Sequence, residues 1–197
     1  MKKKVLIITP HRPERSPSQR FRFEQYLSFL EENGFEFTWS FLISERDDIY
    51  FYQSGHFFKK FIFFLKCYFI RFRDVLRAGN YDLIFVQREA MFVGTSFFER
   101  QLAKRSRLIF DFDDSIFEQD TIGGNKLLSF LKNPRKVDSI SKVAHLIIVG
   151  NKYLENYAKK WNSNVHIIPT TIDLEHHNAE RYQSDKITIG WTGSFST

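Results

Sequence analysis

A chain of 197 residues and 23.6 kDa has room for one well-filled α/β domain, or for one domain with a fragment of a second. A hydrophobic content of 43% excludes a disordered tail, and a single cysteine, Cys67, excludes an internal disulfide framework and cysteine-based zinc spacing, in keeping with a reducing compartment. The net charge of +6, with a pI of about 9.4, favours polyanionic partners such as nucleic acid, anionic lipid or phosphorylated substrates, and does not choose among them.

Lys2, Lys3 and Lys4 precede an apolar run, Val5 to Thr9, that is too short for a secretory signal and reads as a buried strand ended by Pro10. A polar loop from His11 to Ser18 leads to an expected helix that ends at Asn33-Gly34, and Phe35 to Ile43 reads as a second strand. His56 to Ala78 reads as a long helix, Leu83 to Val86 as a strand, Met91 to Lys104 as a helix and Leu108 to Phe112 as a strand. Ser115 to Val143 is mixed and mostly helical in character. Leu146 to Val149 is another strand, Asn151 is placed to cap a helix running to Trp161, and Val165 to Ile168 and Ile187 to Trp191 complete the strands. Short apolar strands alternating with helices predict a Rossmann-like parallel sheet with helices on both faces, whose ligands sit beyond the C-terminal strand ends. The polar stretch from Asp173 to Asp185 is the expected hinge between units.

At those strand ends lie the residues with chemistry to offer. The first loop carries Arg12, Arg15, Arg20 and Arg22, whose guanidinium forks suit phosphate or carboxylate, or which simply form a solvated basic loop. Asp111, Asp113 and Asp114 end another strand, where they could bind a cation or orient or deprotonate a sugar hydroxyl; otherwise Asp114 or Ser115 merely caps a helix. Gln87, Arg88 and Glu89 share that edge, where a turn with an exposed ion pair is the plainer reading. His176-His177 reads as exposed, and no metal cluster, nucleophile triad or Gly-x-Gly-x-x-Gly fingerprint is evident.

Of 23 phenylalanines, many crowd the long helix. At about 100° per residue, Lys59, Lys66, Arg73 and Arg77 form one basic edge, and Lys60 and Arg71 a second. Phe63, Cys67 and Ile70 lie between them, and the broad arc from Phe57 to Leu76 is expected to pack on the sheet. Lys59, Phe63, Lys66, Ile70 and Arg73 are therefore the expected contact with anionic membrane.

Five segments, in order, resemble the family-4 glycosyltransferases of the GT-B fold: Ser16 to Arg22, Tyr81 to Glu89, Phe110 to Phe117, Val149 to Leu154 and Ile167 to Asp173. The resemblance implies a two-lobed enzyme, of which residues 1–183 are the acceptor-side lobe and residues 184–197 begin a truncated donor lobe. Ile189 to Ser194 is similar to the first strand and loop of that second lobe, so Gly193 would approach the diphosphate of a nucleotide-sugar donor. The acidic donor motif expected further on is missing, and the chain is not expected to turn over donor alone. Arg20, Arg22, Arg88 and Asp111 would bind acceptor, and Asp113 and Asp114 would act on its hydroxyl. Two positions depart from the pattern: Thr9 to Ser18 holds no Gly-Gly pair, and Asp113 stands where many relatives carry histidine. Retaining chemistry is implied by the resemblance alone.

The expected activity is transfer of a sugar from a nucleotide-diphosphate donor to a cell-envelope polysaccharide or lipid-linked acceptor. No cofactor is required, and the expected location is the cytoplasmic face of the cell membrane. The rivals are a non-catalytic Rossmann-like module for an anionic ligand or partner, and a nucleic-acid binder. No recognisable module supports the latter, and nucleic acid is left out of the expected partners.

Overall fold

The apolar runs become six strands: β1 (Lys3–His11), β2 (Phe35–Ile43), β3 (Leu83–Gln87), β4 (Arg107–Phe112), β5 (Leu146–Val149) and β6 (Val165–Ile167). They form one sheet in the order β2-β1-β3-β4-β5-β6, with every neighbouring pair parallel. Around the sheet run α1 (Pro17–Arg22), α2 (Leu27–Glu32), α3 (Glu45–Phe51), α4 (Phe57–Arg77), α5 (Phe97–Ala103), α6 (Arg135–Val143) and α7 (Lys152–Ala158). This computed structural model describes residues 2–53, 55–92, 94–118 and 135–173. The expected strand at 187–191, Gly193, His176-His177 and the boundary between 183 and 184 lie outside the described residues, as do residues 119–134 of the mixed segment.

Strand alternation divides the apolar side chains between two cores. Leu6, Ile8, Ile84, Val86, Leu108, Phe110, Ile147 and Val149 fill the larger one, under α4 to α7. Val5, Ile7 and Phe23 form the smaller one, with Leu27, Trp39, Leu83 and Phe85 packed against them. Each fully buried side chain of this size contributes about 1.5–3 kcal/mol of transfer free energy. Both sheet faces are thus covered, as the near-continuous apolar strands require.

The helix expected from Ser18 to Asn33 is broken. Phe23 leaves the helical region (φ −148°), and a 3-10 turn, Glu24–Tyr26, separates α1 from α2. The break lets the Phe23 ring pack 5.0 Å from Phe85 and 5.6 Å from Trp39, so core burial overrides helix continuity. The short helix α3 was not expected. A capping box starts it, in which the Ser44 N–H donates to Asp47 while Asp47 N–H meets Ser44.

The long helix α4 has the expected length and the opposite face inward. Phe63, Cys67, Arg71, Asp74 and Val75 are buried, whereas Phe58, Phe61, Ile62, Leu65, Phe69, Phe72 and Leu76 are exposed. The expected membrane contact through Phe63 is therefore wrong: its ring packs 5.0 Å from Phe51, in the core. Ile70 packs against the same core, and Lys66 pairs with Asp47 at 2.5 Å. Polar bonding sets this phase. The fully buried Arg71 pairs with Asp74 at 2.8 Å and donates to Ser40 Oγ at 2.9 Å, to the Thr9 carbonyl at 2.9 Å and to the Ala90 carbonyl. One guanidinium thus satisfies acceptors from β1, β2 and the loop after β3, which an apolar side chain in its place could not.

Candidate functional site

The chain passes from β1 outward to β2 and then back across β1 to β3, so strand order reverses between β1 and β3. A parallel sheet leaves a crevice at such a reversal, beyond the carboxyl ends of its strands. The loops after β1 and β3 flank it, and the end of β4 lies beside them.

Buried polar contacts fix the first loop. Gln19 Nε2 donates to the carbonyls of His11 and Arg12 at 3.1 and 3.3 Å, while its Oε1 accepts the His11 N–H at 3.2 Å. Arg12 and Arg15 both grip Asp48 on α3, the latter at 2.9 Å. Burial would raise the Asp48 carboxyl, but those two guanidiniums hold it below its usual range. Two arginines that suit phosphate by type are thereby committed to an internal carboxylate.

Arg22 is committed more deeply. Its Nε donates to Asp111 Oδ2 at 3.3 Å, and its terminal nitrogens donate to Asp111 Oδ1 and to the Ile168 carbonyl. Both side chains are almost wholly buried. Burial pushes Asp111 up to about 6, against the pull of Arg22, and Asp113 adds to the rise. The expectation that Arg22 and Asp111 touch the acceptor is corrected accordingly: the pair braces α1, β4 and the end of β6. Arg20 is exposed, with its guanidinium 5.6 Å from the Phe21 ring.

Asp113 joins three elements. Gln87 Nε2, at the end of β3, donates to Ser18 Oγ at 2.8 Å, and Ser18 Oγ donates to Asp113 Oδ2 at 2.8 Å. The other carboxylate oxygen, Oδ1, has no partner among the described residues. Gly150, after β5, packs against this residue; a Cβ there would stand 3.5 Å from Asp113 Cα. Asp114 points elsewhere and pairs with Arg88 at 3.1 Å on the surface. Arg88 takes a left-handed conformation (φ 64°), which is costly for a residue with a Cβ. Its N–H donates to the Asp111 carbonyl at 2.8 Å, tying β3 to β4. Behind it, Lys136 holds Glu89 at 2.9 Å, and Glu99 accepts the Ala90 N–H at 2.9 Å.

His11, at the end of β1, was overlooked in the sequence. Burial lowers its pKa, with help from Arg15, Arg88 and Arg12 and against Asp48. Its imidazole is therefore neutral at neutral pH, stacks on Tyr52 at 6.3 Å and leaves Nδ1 without a partner among the described residues. Ser18 was overlooked as a site residue too, and Gln87 was noted at this edge with a turn and an exposed ion pair as the plainer reading. Their signal was position alone, since each directly adjoins a predicted element boundary.

The arrangement suits a hydroxyl. One Asp113 oxygen is anchored and the other is buried without a partner among the described residues, with an uncharged imidazole and a guanidinium on neighbouring strand ends. Among the described residues, no group of three or more His, Cys, Asp or Glu side chains could hold a metal ion.

No protein family and no curated protein matches the sequence. Solved structures do resemble it. An alpha-glucosyltransferase in complex with UDP-glucose and DNA containing an abasic site aligns at 15% identity with a TM-score of 0.51, covering 89% of this chain and 44% of that one. An alpha-glucosyltransferase in complex with UDP and a 13-mer DNA containing a HMU base aligns at 14% identity and 0.49, covering 88% and 44%. The chain spans less than half the length of either. At such identity the likeness establishes a shared α/β, glycosyltransferase-like fold. It also corrects the exclusion of nucleic acid. That exclusion rested on the lack of a recognisable module, yet this same scaffold occurs in an enzyme holding DNA. Backbone-binding cations need no dedicated module.

Proposed function

We propose that the chain is the acceptor-side lobe of a glycosyltransferase, with the two-lobed organisation of the family-4 enzymes. Residues 1–183 present the acceptor, and the segment from 184, with Gly193, opens the lobe that holds a nucleotide-diphosphate sugar. The observation that carries the reading is the Gln87–Ser18–Asp113 chain of hydrogen bonds at the strand-order reversal, with Asp113 Oδ1 buried beside it and without a partner among the described residues, so an acceptor hydroxyl reaches it only when the packing over it opens. Asp113 orients the acceptor hydroxyl and draws off its proton as the sugar arrives; Ser18 and Gln87 fix the carboxylate, and Arg88 lies at the rim. The acceptor is a hydroxyl of an envelope polysaccharide or lipid-linked glycan. A second acceptor class, nucleic acid, is favoured by the DNA in the similar glucosyltransferase and by the +6 charge.

The test uses the whole product of the source gene, labelled nucleotide sugars, and extracted lipid-linked glycan or duplex DNA as acceptor. Label should pass to one acceptor class, and Asp113→Asn should lower kcat by about a hundredfold or more with the fold intact by circular dichroism. An Asp113→Asn protein as active as the parent would remove Asp113 from the mechanism. Failure to transfer to any acceptor would favour a non-catalytic anion-binding module.

A further inference from the structure

The exposed face of α4 has no counterpart elsewhere on the described surface. Phe58 (76% exposed), Phe61, Ile62, Leu65, Phe69 (73%), Phe72 and Leu76 (81%) lie within about a third of the helix circumference. Phe97 of α5, 6.2 Å from Phe72, extends the patch. Soluble proteins do not usually leave a contiguous aromatic stripe of this extent open to water. Along one border run Lys59, Lys66 and Arg73, all exposed and spaced by sevens, with Lys66 already paired to Asp47 of α3 so that Lys59 and Arg73 are the cations that face outward. The sole carboxylate in α4, Asp74, is buried and paired with Arg71 and Arg77, so every exposed charged side chain on this helix is cationic.

We infer that this face of α4 docks on the surface of an anionic lipid bilayer, its aromatic stripe in the interface and its basic edge against lipid phosphates. Charge selects the occupant. A second copy of the chain would bring like-charged edges into one contact with no exposed acid on α4 to neutralise them, whereas anionic headgroups supply counter-charge to Lys59 and Arg73. The helix lies flat rather than spanning: no helix among the described residues is long and apolar enough to cross a membrane. The inference is independent of sugar transfer, and it concerns the face opposite to the one the helical wheel suggests.

The test is co-sedimentation of the 197-residue chain with sucrose-loaded vesicles of phosphatidylcholine, with or without roughly one-third phosphatidylglycerol. The chain should sediment with the anionic vesicles and only weakly with the neutral ones. The double substitution Phe58→Ser/Phe69→Ser should lower the partition coefficient at least about tenfold, and Arg73→Gln about fivefold. Phe29→Ser, an exposed phenylalanine on α2 over the other sheet face, should change nothing. Unchanged urea midpoints exclude misfolding of the variants. Equal retention of parent and double variant would overturn the inference, as would equal loss in Phe29→Ser. So would a lipid-free dimer, by light scattering, that the double variant dissociates.

Discussion

Replacing Arg71 by leucine tests how the candidate site is held. The substitution removes the partner at 2.8 Å from Asp74, and strips donors from the Thr9 and Ala90 carbonyls. Breaking a buried pair from one side costs about 3–5 kcal/mol. Arg77 still holds Asp74 Oδ1 at 2.9 Å, which keeps that part near 3 kcal/mol, and the stranded carbonyls add ~1 kcal/mol. A loss of about 4 kcal/mol, over a urea slope of ~2 kcal/mol per molar, moves the midpoint down by about 2 M. The double substitution Arg71→Leu/Asp74→Leu leaves no fully buried unpaired charge, only the partly exposed Arg77 without its partner, and should recover at least ~2 kcal/mol. Urea titrations followed by circular dichroism measure all three proteins. A single variant within ~1 kcal/mol of the parent, or a double variant no more stable than the single, refutes the claim that this pair fixes the phase of α4.

Two further predictions concern protons. The His11 ring should titrate below 6.5 by NMR, and Arg15→Gln should shift its midpoint upward, because a cation that opposes the imidazolium is gone. The unfolded chain then takes the proton first, so this group costs stability as pH falls below 6.5 and nothing above it. Asp47 behaves in the opposite way: burial alone would raise it, but Lys66, Ser44 and Tyr50 hold it at about 2. Its stabilisation is complete above the unfolded value near 4 and disappears between there and about pH 2, and Lys66→Met should flatten that acid limb in denaturation curves.

The strands were legible because each is a short apolar run bounded by turn residues, and two of them, Phe35–Ile43 and Leu146–Val149, have the bounds expected from the sequence. Asn151 was legible as a cap for the same local reason, and its side chain accepts the Leu154 N–H at 3.0 Å. Helix α4 was misread because apolar area alone was taken to decide the inward face. A wheel cannot show that Arg71 meets carbonyls from three places in the chain. Arginine was misread in the same way in the first loop. Arg12, Arg15 and Arg22 look like anion ligands by type, and their anions turn out to be Asp48 and Asp111, respectively 33 or more and 89 residues away. Asp113 was legible as a carboxylate at a strand end. Gln87 was legible at the same edge, but the bonds by which it and Ser18 support Asp113 were not, because they form only once the sheet has formed.

Helix α4 joins the two proposals physically. Its inner face carries Arg71, which bonds to Thr9 at the end of β1 and to Ala90 just beyond β3. Those are the two strands between which the order reverses, and their ends carry His11 and Gln87. Its outer face carries the aromatic stripe and the cations. A bilayer that takes up the outer face therefore fixes the orientation of the crevice through the packed inner face of α4 and the bonds of Arg71 to β1 and to the loop after β3. A lipid-linked acceptor gains from that geometry, since its headgroup hydroxyl is already confined near the membrane surface and needs only to be presented to Asp113. A nucleic-acid acceptor gains nothing from it. Vesicle-stimulated transfer to glycan, lost in Phe58→Ser/Phe69→Ser while transfer to a detergent-solubilised acceptor persists, would tie membrane docking to catalysis; equal stimulation of both proteins would separate them.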